Sequence, residues 1–425
     1  MKKLIAISVV FALVAGAVFA VDLTGTVFGR VNVLEGNTGK NSAGDSYAAT
    51  ASGGMERVRV DGSGEAGDGE FGGYIRYQGA SSAGVDSAYA WWKPVDQFKL
   101  IIGEFSDGFW GKEGVTGWGF NQMPNDSGVA INYGIWCGPY WGSSVYGSTD
   151  VGGSSFNGTP TAAYLHNRYV FFEGFVRSGA SLEITPADMI GINIGIPFIS
   201  KDRSGTDGEK DGTAADVYKA SVVQFDIKMD FGNIAITYDG SSRAGMKASD
   251  GGAIFVYYGG SFGDLSLDVG FSYHLASKND DNAKWGTDDK SLPLGVGLGV
   301  KYATDSFGVK FRTTAVLAGD KERGTPGNDA TFINVSVLPF FNLGDNLTAF
   351  VNVGLAMMKD GDSKAVEATF GESSITGWYF NPYLRVGAEW GPTFYFGIQA
   401  WSDGVKYGDS KITNWAVPVA LMVSF

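Results

Sequence analysis

The last eleven residues of the chain, Trp415 to Phe425, alternate without a break. Trp415, Val417, Val419, Leu421, Val423 and Phe425 interleave with Ala416, Pro418, Ala420, Met422 and Ser424. A period of two is strand geometry, and it gathers the bulky apolar set on one face. In a soluble β-sandwich, the competing reading, a second layer must cover that face. A transmembrane barrel requires it bare, because its outer wall meets lipid and its last strand pairs with its first to close the edge.

The first twenty residues point to the same compartment. Lys2 and Lys3 precede an apolar core from Leu4 to Val14, and Val18-Phe19-Ala20 has the form of a cleavage site. This is the pattern of a secretory signal peptide over 1–20, with a single domain expected over 21–425. No Cys follows the cleavage site, which disfavours a lipid anchor. Cys137 is the only cysteine, so an internal disulfide is excluded.

Composition is uniform along the chain, with 64 Gly, 12 Pro and 14% aromatics. Mean hydropathy is −0.01. After the signal, no apolar run approaches the ~18 residues of a membrane helix. A transmembrane barrel gives such values because only alternate residues of each strand face lipid. The formal charge is −13, and −15 without Lys2 and Lys3. No basic run stands out, so nucleic-acid binding is not expected. The acids gather in polar stretches such as Lys201–Asp216 and Lys278–Lys290, which read as solvated loops. None matches the spaced ligand pattern of a calcium loop, and no metal or cofactor is expected.

Alternating segments recur throughout. Leu265, Leu267, Val269 and Phe271 interleave with Ser266, Asp268, Gly270 and Ser272, and Phe394, Phe396 and Ile398 with Tyr395, Gly397 and Gln399. The connections alternate in length. Short ones include Gly64–Gly69, Pro94–Gln97, Gly260–Asp264, Thr304–Ser306, Asn342–Asn346 and Gly391–Pro392. Long ones include Glu35–Gly53, Ser106–Ser127, Lys201–Asp216, Ala276–Ser291, Gly319–Asp329 and Met358–Ser374. Short periplasmic turns and long external loops are the asymmetry of an outer-membrane barrel. The expected fold is therefore all-β, an antiparallel transmembrane β-barrel with an even strand number of 16 to 20. The count favours 20, then 18; Gly128–Trp136, Pro139–Gly147 and Asn233–Gly240 are the weakest segments.

Two stretches resemble the general porins of Gram-negative bacteria. Met55 to Gln78, MERVRVDGSGEAGDGEFGGYIRYQ, is similar to a porin hairpin with a Gly–polar–Gly turn at Gly67-Asp68-Gly69. Ala88 to Phe105, AYAWWKPVDQFKLIIGEF, resembles the next hairpin, with Ile102-Gly103-Glu104-Phe105 where the family has Leu-Gly-Arg-Gln. The terminal Phe425, with Trp415, Val417, Val419, Leu421 and Val423 before it, resembles the signal read by the barrel assembly machinery. The resemblance implies a passive diffusion channel in the outer membrane, usually a homotrimer, for small hydrophilic solutes and ions. It also implies that a third external loop, here near 106–127, folds into the lumen. Asp107 and Glu113 on that loop would face wall arginines, for which Arg30, Arg57, Arg59 and Arg76 have lumenal parity. Lys310, Arg312 and Arg385 have it too. Glu104 departs from the basic family residue at a pore-lining position.

Other chemistry is thinly supported. There are two histidines, His166 and His274. Gly259-Gly260-Ser261-Phe262-Gly263 matches the nucleophile-elbow pattern, but a hairpin turn is expected there instead of a strand-to-helix turn. No enzymatic role is expected. The alternatives to a general channel are a surface barrel whose acidic loops bind a partner, a barrel-embedded hydrolase, and a saccharide-selective channel. In the last, Tyr379, Tyr383 and Tyr395 would stack on sugars. Trp91, Trp92, Trp136, Trp141, Trp378, Trp390 and Trp415 fall near strand ends and read as interfacial girdles.

Overall fold

The computed structural model describes residues 20–38, 48–79, 83–104, 178–197, 221–239, 253–274, 294–317, 331–361, 364, 367, 371–387, 392–402, 404, 406–407, 410–411 and 413–424. Residues 1–19 of the expected signal peptide, loop residues 106–127 with Asp107 and Glu113, His166 and Phe425 lie outside these residues, and Ala20 opens the first strand.

The chain begins with β1 (Ala20–Thr38), β2 (Ala48–Ala66), β3 (Phe71–Gly79), β4 (Ala83–Val95) and β5 (Phe98–Glu104). β6 (Ser178–Ala187), β7 (Ile190–Pro197), β8 (Val222–Met229), β9 (Gly232–Asp239), β10 (Ala253–Phe262) and β11 (Leu265–His274) follow. Next come β12 (Leu294–Ala303), β13 (Phe307–Leu317), β14 (Thr331–Gly344), β15 (Leu347–Lys359) and β16 (Ser374–Val386). β17 runs as Pro392–Gly397 and then Gln399–Ser402, and the closing strand is Thr413–Ser424. Each strand pairs antiparallel with its chain neighbour, and the closing strand pairs with both β17 and β1. The sheet therefore has no free edge. A small hairpin, Lys406–Tyr407 with Ser410–Lys411, sits in the last long connection.

β17 is interrupted at Ile398 for a local reason. Its two segments keep one register against both neighbours, which bring Pro382 and Pro418 to this point. Proline has no N–H to give to a ladder, so pairing lapses there. Ile398 still donates to the Pro382 carbonyl at 3.0 Å and accepts from the Asn381 amide at 2.9 Å. β17 is thus one strand of the wall, and the barrel has 18 strands.

The favoured count of 20 is corrected to 18, the second expectation. Asn233–Gly240 is a wall strand, matching β9. Gly128–Trp136 and Pro139–Gly147 lie outside the described residues, and β5 and β6 pair directly with each other, Glu104 opposite Ser178. The wall closes without those two segments. The long connection expected at Glu35–Gly53 is also shorter, since β1 continues to Thr38 and β2 starts at Ala48. Each of these strands has 19 residues. A membrane-crossing strand needs only about 9–11, so this hairpin extends well beyond the hydrocarbon.

The alternation of connections is clear. The turns 67–70, 96–97, 188–189, 230–231, 263–264, 304–306 and 345–346 share one end of the barrel. The first turn is Gly67-Asp68-Gly69, with φ of 61°, 53° and 88°. Three successive left-handed residues suit Gly and Asp and little else, and Glu70 N–H closes the turn on the Gly67 carbonyl at 3.0 Å.

Along the strands the outward residues are mainly apolar. Phe71, Ile75 and Tyr77 on β3, Val353, Leu355 and Met357 on β15, and Phe394 and Phe396 on β17 are all solvent-accessible. An accessible apolar wall round a closed sheet is a lipid-facing surface. At the short-turn end it carries Phe71, Trp92, Phe231, Phe262, Phe307, Phe341 and Phe394. The aromatic girdle there is mostly phenylalanine, where tryptophan was expected. Trp91 is a correction: it pairs with Ile101 on the lumenal side of β4, while its neighbour Trp92 faces out. Trp136, Trp141 and Trp390 lie outside the described residues.

Epitope tags inserted at Asp68 or Asp345 should be hidden on intact cells, and a tag at Gly361 should be reached by antibody. Surface labelling at Asp68 with none at Gly361 would reverse this orientation.

Candidate functional site

The lumenal face of β2 to β5 holds a polar constellation. Register places Arg59 opposite Gln78, Asp61 opposite Arg76, Arg76 opposite Ser87, and Tyr74 opposite Tyr89. Arg59 Nε donates to Gln78 Oε1 at 2.6 Å. Arg76 Nε donates to Asp61 Oδ1 at 2.6 Å, and the Tyr74 hydroxyl donates to the same oxygen. The pair is partly screened, with side chains 16% and 21% exposed.

An aromatic row continues from this pair. The Arg76 guanidinium lies 5.6 Å from the Tyr74 ring centre, Tyr74 stacks on Tyr89 at 5.0 Å, and Tyr89 meets Trp91 at 6.3 Å. Lys99 Nζ stands 5.1 Å from the Trp91 ring. Gly72 makes room for Trp91: a Cβ there would sit 1.9 Å from the indole. An aromatic ring laid over a cross-strand glycine is a known way to fill the hole that glycine leaves in a sheet.

The expected basic residues are only partly gathered. Arg59 and Arg76 stand together, and Arg57 occupies the position two before Arg59 on the same strand. Arg30 lies opposite Ala420, a lumenal position. Arg385, on β16, is three strands round the closure from Arg30, donating to Thr348 Oγ1 at 3.0 Å with its guanidinium 5.5 Å from the Phe350 ring centre. Lys310 and Arg312 occupy lumenal positions on β13, Lys310 opposite Leu338. Glu104 is corrected as a pore-lining residue. It has the parity of Leu100 and the outward-facing Ile102, opposite Ala88.

Asp61 was missed, although Arg59-Val60-Asp61 puts it on the same face as Arg59. Its carboxylate offsets Arg76 within the wall itself. A unit charge about 10 Å from an ion in water acts with roughly 0.4 kcal/mol, about a factor of two in occupancy. Asp61→Asn should therefore move the permeability ratio about twofold toward anions, and Arg76→Gln toward cations. Reversal potentials in a salt gradient measure both, and unchanged values would remove this pair from the ion path.

Tyr383 and Tyr395 are corrected as sugar platforms. Tyr383 and Tyr395 have lumenal parity but are 3% and 1% exposed. Tyr383 stacks on Phe350 at 4.7 Å and 7°, and meets Tyr395 at 6.5 Å. With Leu338 and Ala420 they form a buried patch inside the wall, and Phe340 and Met422 pack against it. Their rings are covered by neighbours. Tyr379 occupies the matching position on β16, opposite Gly354.

A second polar network, also missed, lines β7 to β9. Asp226 is 2% exposed and accepts from Asn193 Nδ2 at 2.9 Å and Gln224 Nε2 at 2.8 Å. Gln224 Oε1 in turn accepts from the Thr237 hydroxyl at 3.1 Å. A buried carboxylate needs such donors. Ser261 sits at the end of β10 beside a hairpin turn, 3.2 Å from the Ser266 hydroxyl. It is not on a nucleophile elbow. Among the described residues, no group of acids, His or Cys is placed to hold a metal ion.

The sequence matches no protein-family model and no curated protein. Solved structures similar to it include Salmonella typhi OmpF in complex with daunomycin, at 12% identity and a TM-score of 0.49, covering 95% of this chain and 97% of that one. An anion-selective porin from Comamonas acidovorans gives 12% identity and 0.48, covering 96% and 100%. Pseudomonas aeruginosa OpdQ gives 12% and 0.46, covering 96% of each. The barrel stands on its own strand pairing.

Proposed function

We propose that this protein is an outer-membrane channel that passes small hydrophilic solutes and ions by diffusion. One observation carries the reading: a closed 18-stranded wall with an apolar outside and charged residues inside. Barrels of 16–18 strands are wide enough to leave an aqueous lumen. Charge-bearing walls then bias the ions that cross. Arg59, Arg76 and Asp61 are the wall residues that set this bias, with Arg57 as a further contributor. Asp107 and Glu113 are assigned the facing loop positions, and a homotrimer is the assembly proposed. Assembly into the membrane uses the apolar face of the closing strand, with Phe425 at its end.

Liposome swelling tests the reading. Vesicles containing the protein should swell in isotonic small sugars and amino acids, with rates that fall as solute size rises. Vesicles that contain the folded barrel and do not swell with any solute would overturn it.

A further inference from the structure

A recess of about 660 Å³ opens on the lumenal side of β8 to β11, at the short-turn end. Lys228, Asn233, Ser261, Ser266 and Asp268 line it. Its chemistry is mixed in a specific way. Lys228 brings an accessible ammonium, two residues along the same face from the buried Asp226. Asp268 brings a carboxylate, of which one oxygen accepts from the Tyr257 hydroxyl at 2.5 Å. Asn233 Oδ1 is buried and has no hydrogen-bond partner among the described residues. Such a group carries a desolvation cost that a donor can relieve, and turning this amide toward an incoming N–H would break no bond at that oxygen. Gly259 makes room for Tyr257: a Cβ there would lie 2.1 Å from its hydroxyl.

We infer that this recess is a binding subsite for small zwitterions of the α-amino acid class. Lys228 receives the carboxylate, and Asp268 and Asn233 receive the ammonium. Tyr257 is 6% exposed and offers no open ring face to a sugar. The subsite rests on the channel reading for its role, as a stopping place at the periplasmic mouth.

Titration calorimetry on the folded barrel in detergent uses L-serine, with lactate lacking the ammonium, ethanolamine lacking the carboxylate, and glycerol lacking both. Saturable binding of serine is expected, at least tenfold tighter than any of the three. Lys228→Gln, on an accessible side chain, and Asp268→Asn should each weaken it at least tenfold. In planar bilayers, serine added from the short-turn side should interrupt the current more often than serine added from the loop side. No saturable binding, equal binding of all four probes, or unchanged binding by Lys228→Gln would overturn the subsite. A barrel that conducts but does not bind serine loses only the subsite, and one that binds serine but shows no channel steps loses only the channel.

Discussion

Replacing Phe350 with Ala is expected to cost about 3–5 kcal/mol of barrel stability. Phe350 is 3% exposed, lies 4.7 Å from Tyr383 in a near-parallel stack and 5.8 Å from Phe340, and has the Arg385 guanidinium over its ring. Truncation removes the centre of a buried apolar patch that joins β14, β15, β16, β17 and the closing strand. It also strips Arg385 of a ring contact worth about 0.5–2 kcal/mol. Urea unfolding of the protein in lipid vesicles measures the loss. Tyr383→Phe, which keeps the stack, should cost far less. Equal stability of Phe350→Ala and the parent protein would show that the lumenal patch does not hold these strands.

Val419→Arg is expected to cost about 2–4 kcal/mol, the usual penalty for a cation facing lipid near the middle of a barrel strand. Val419 lies opposite Val31 on β1 and Phe396 on β17, with Phe396 54% exposed on the outer wall. The charge would enter hydrocarbon at the seam where first and last strands join, so closure suffers along with stability. Heat-modifiable migration on gels reports the folded fraction in membranes, and an undiminished folded fraction would place this face away from lipid.

Much of this architecture is written in the alternation itself. Parity along each strand identified the outward set of the closing strand and the lumenal positions of Arg59, Arg76, Arg385 and Tyr395. The glycine turn at Gly67-Asp68-Gly69 was legible because only a left-handed backbone requires that composition. Strand number was not, because local alternation says nothing about which segments pair. β5 finds β6 as its partner across 73 intervening residues, 105–177.

Parity also misled where both faces of a strand are apolar. On β5, Ile101 and Ile102 point to opposite sides, Ile101 7% and Ile102 47% exposed. The composition of Phe98 to Glu104 therefore left the side of Glu104 undecided. Trp91 and Trp92 posed the same ambiguity, resolved by Gly72, which leaves a hole only on the lumenal side. The buried state of Tyr383 and Tyr395 depends on rings from β14, β15 and β17, which no single-strand pattern contains. Asp61 was within reach, two residues from Arg59, and its pairing with Arg76 needed only the hairpin register.

Single-channel recording from the purified protein in planar lipid bilayers tests the channel reading most directly. Discrete, ohmic conductance steps that persist at low voltage are expected, with a reversal potential that moves toward anions in Asp61→Asn. Insertion of the folded barrel with no conductance steps in any salt would contradict it.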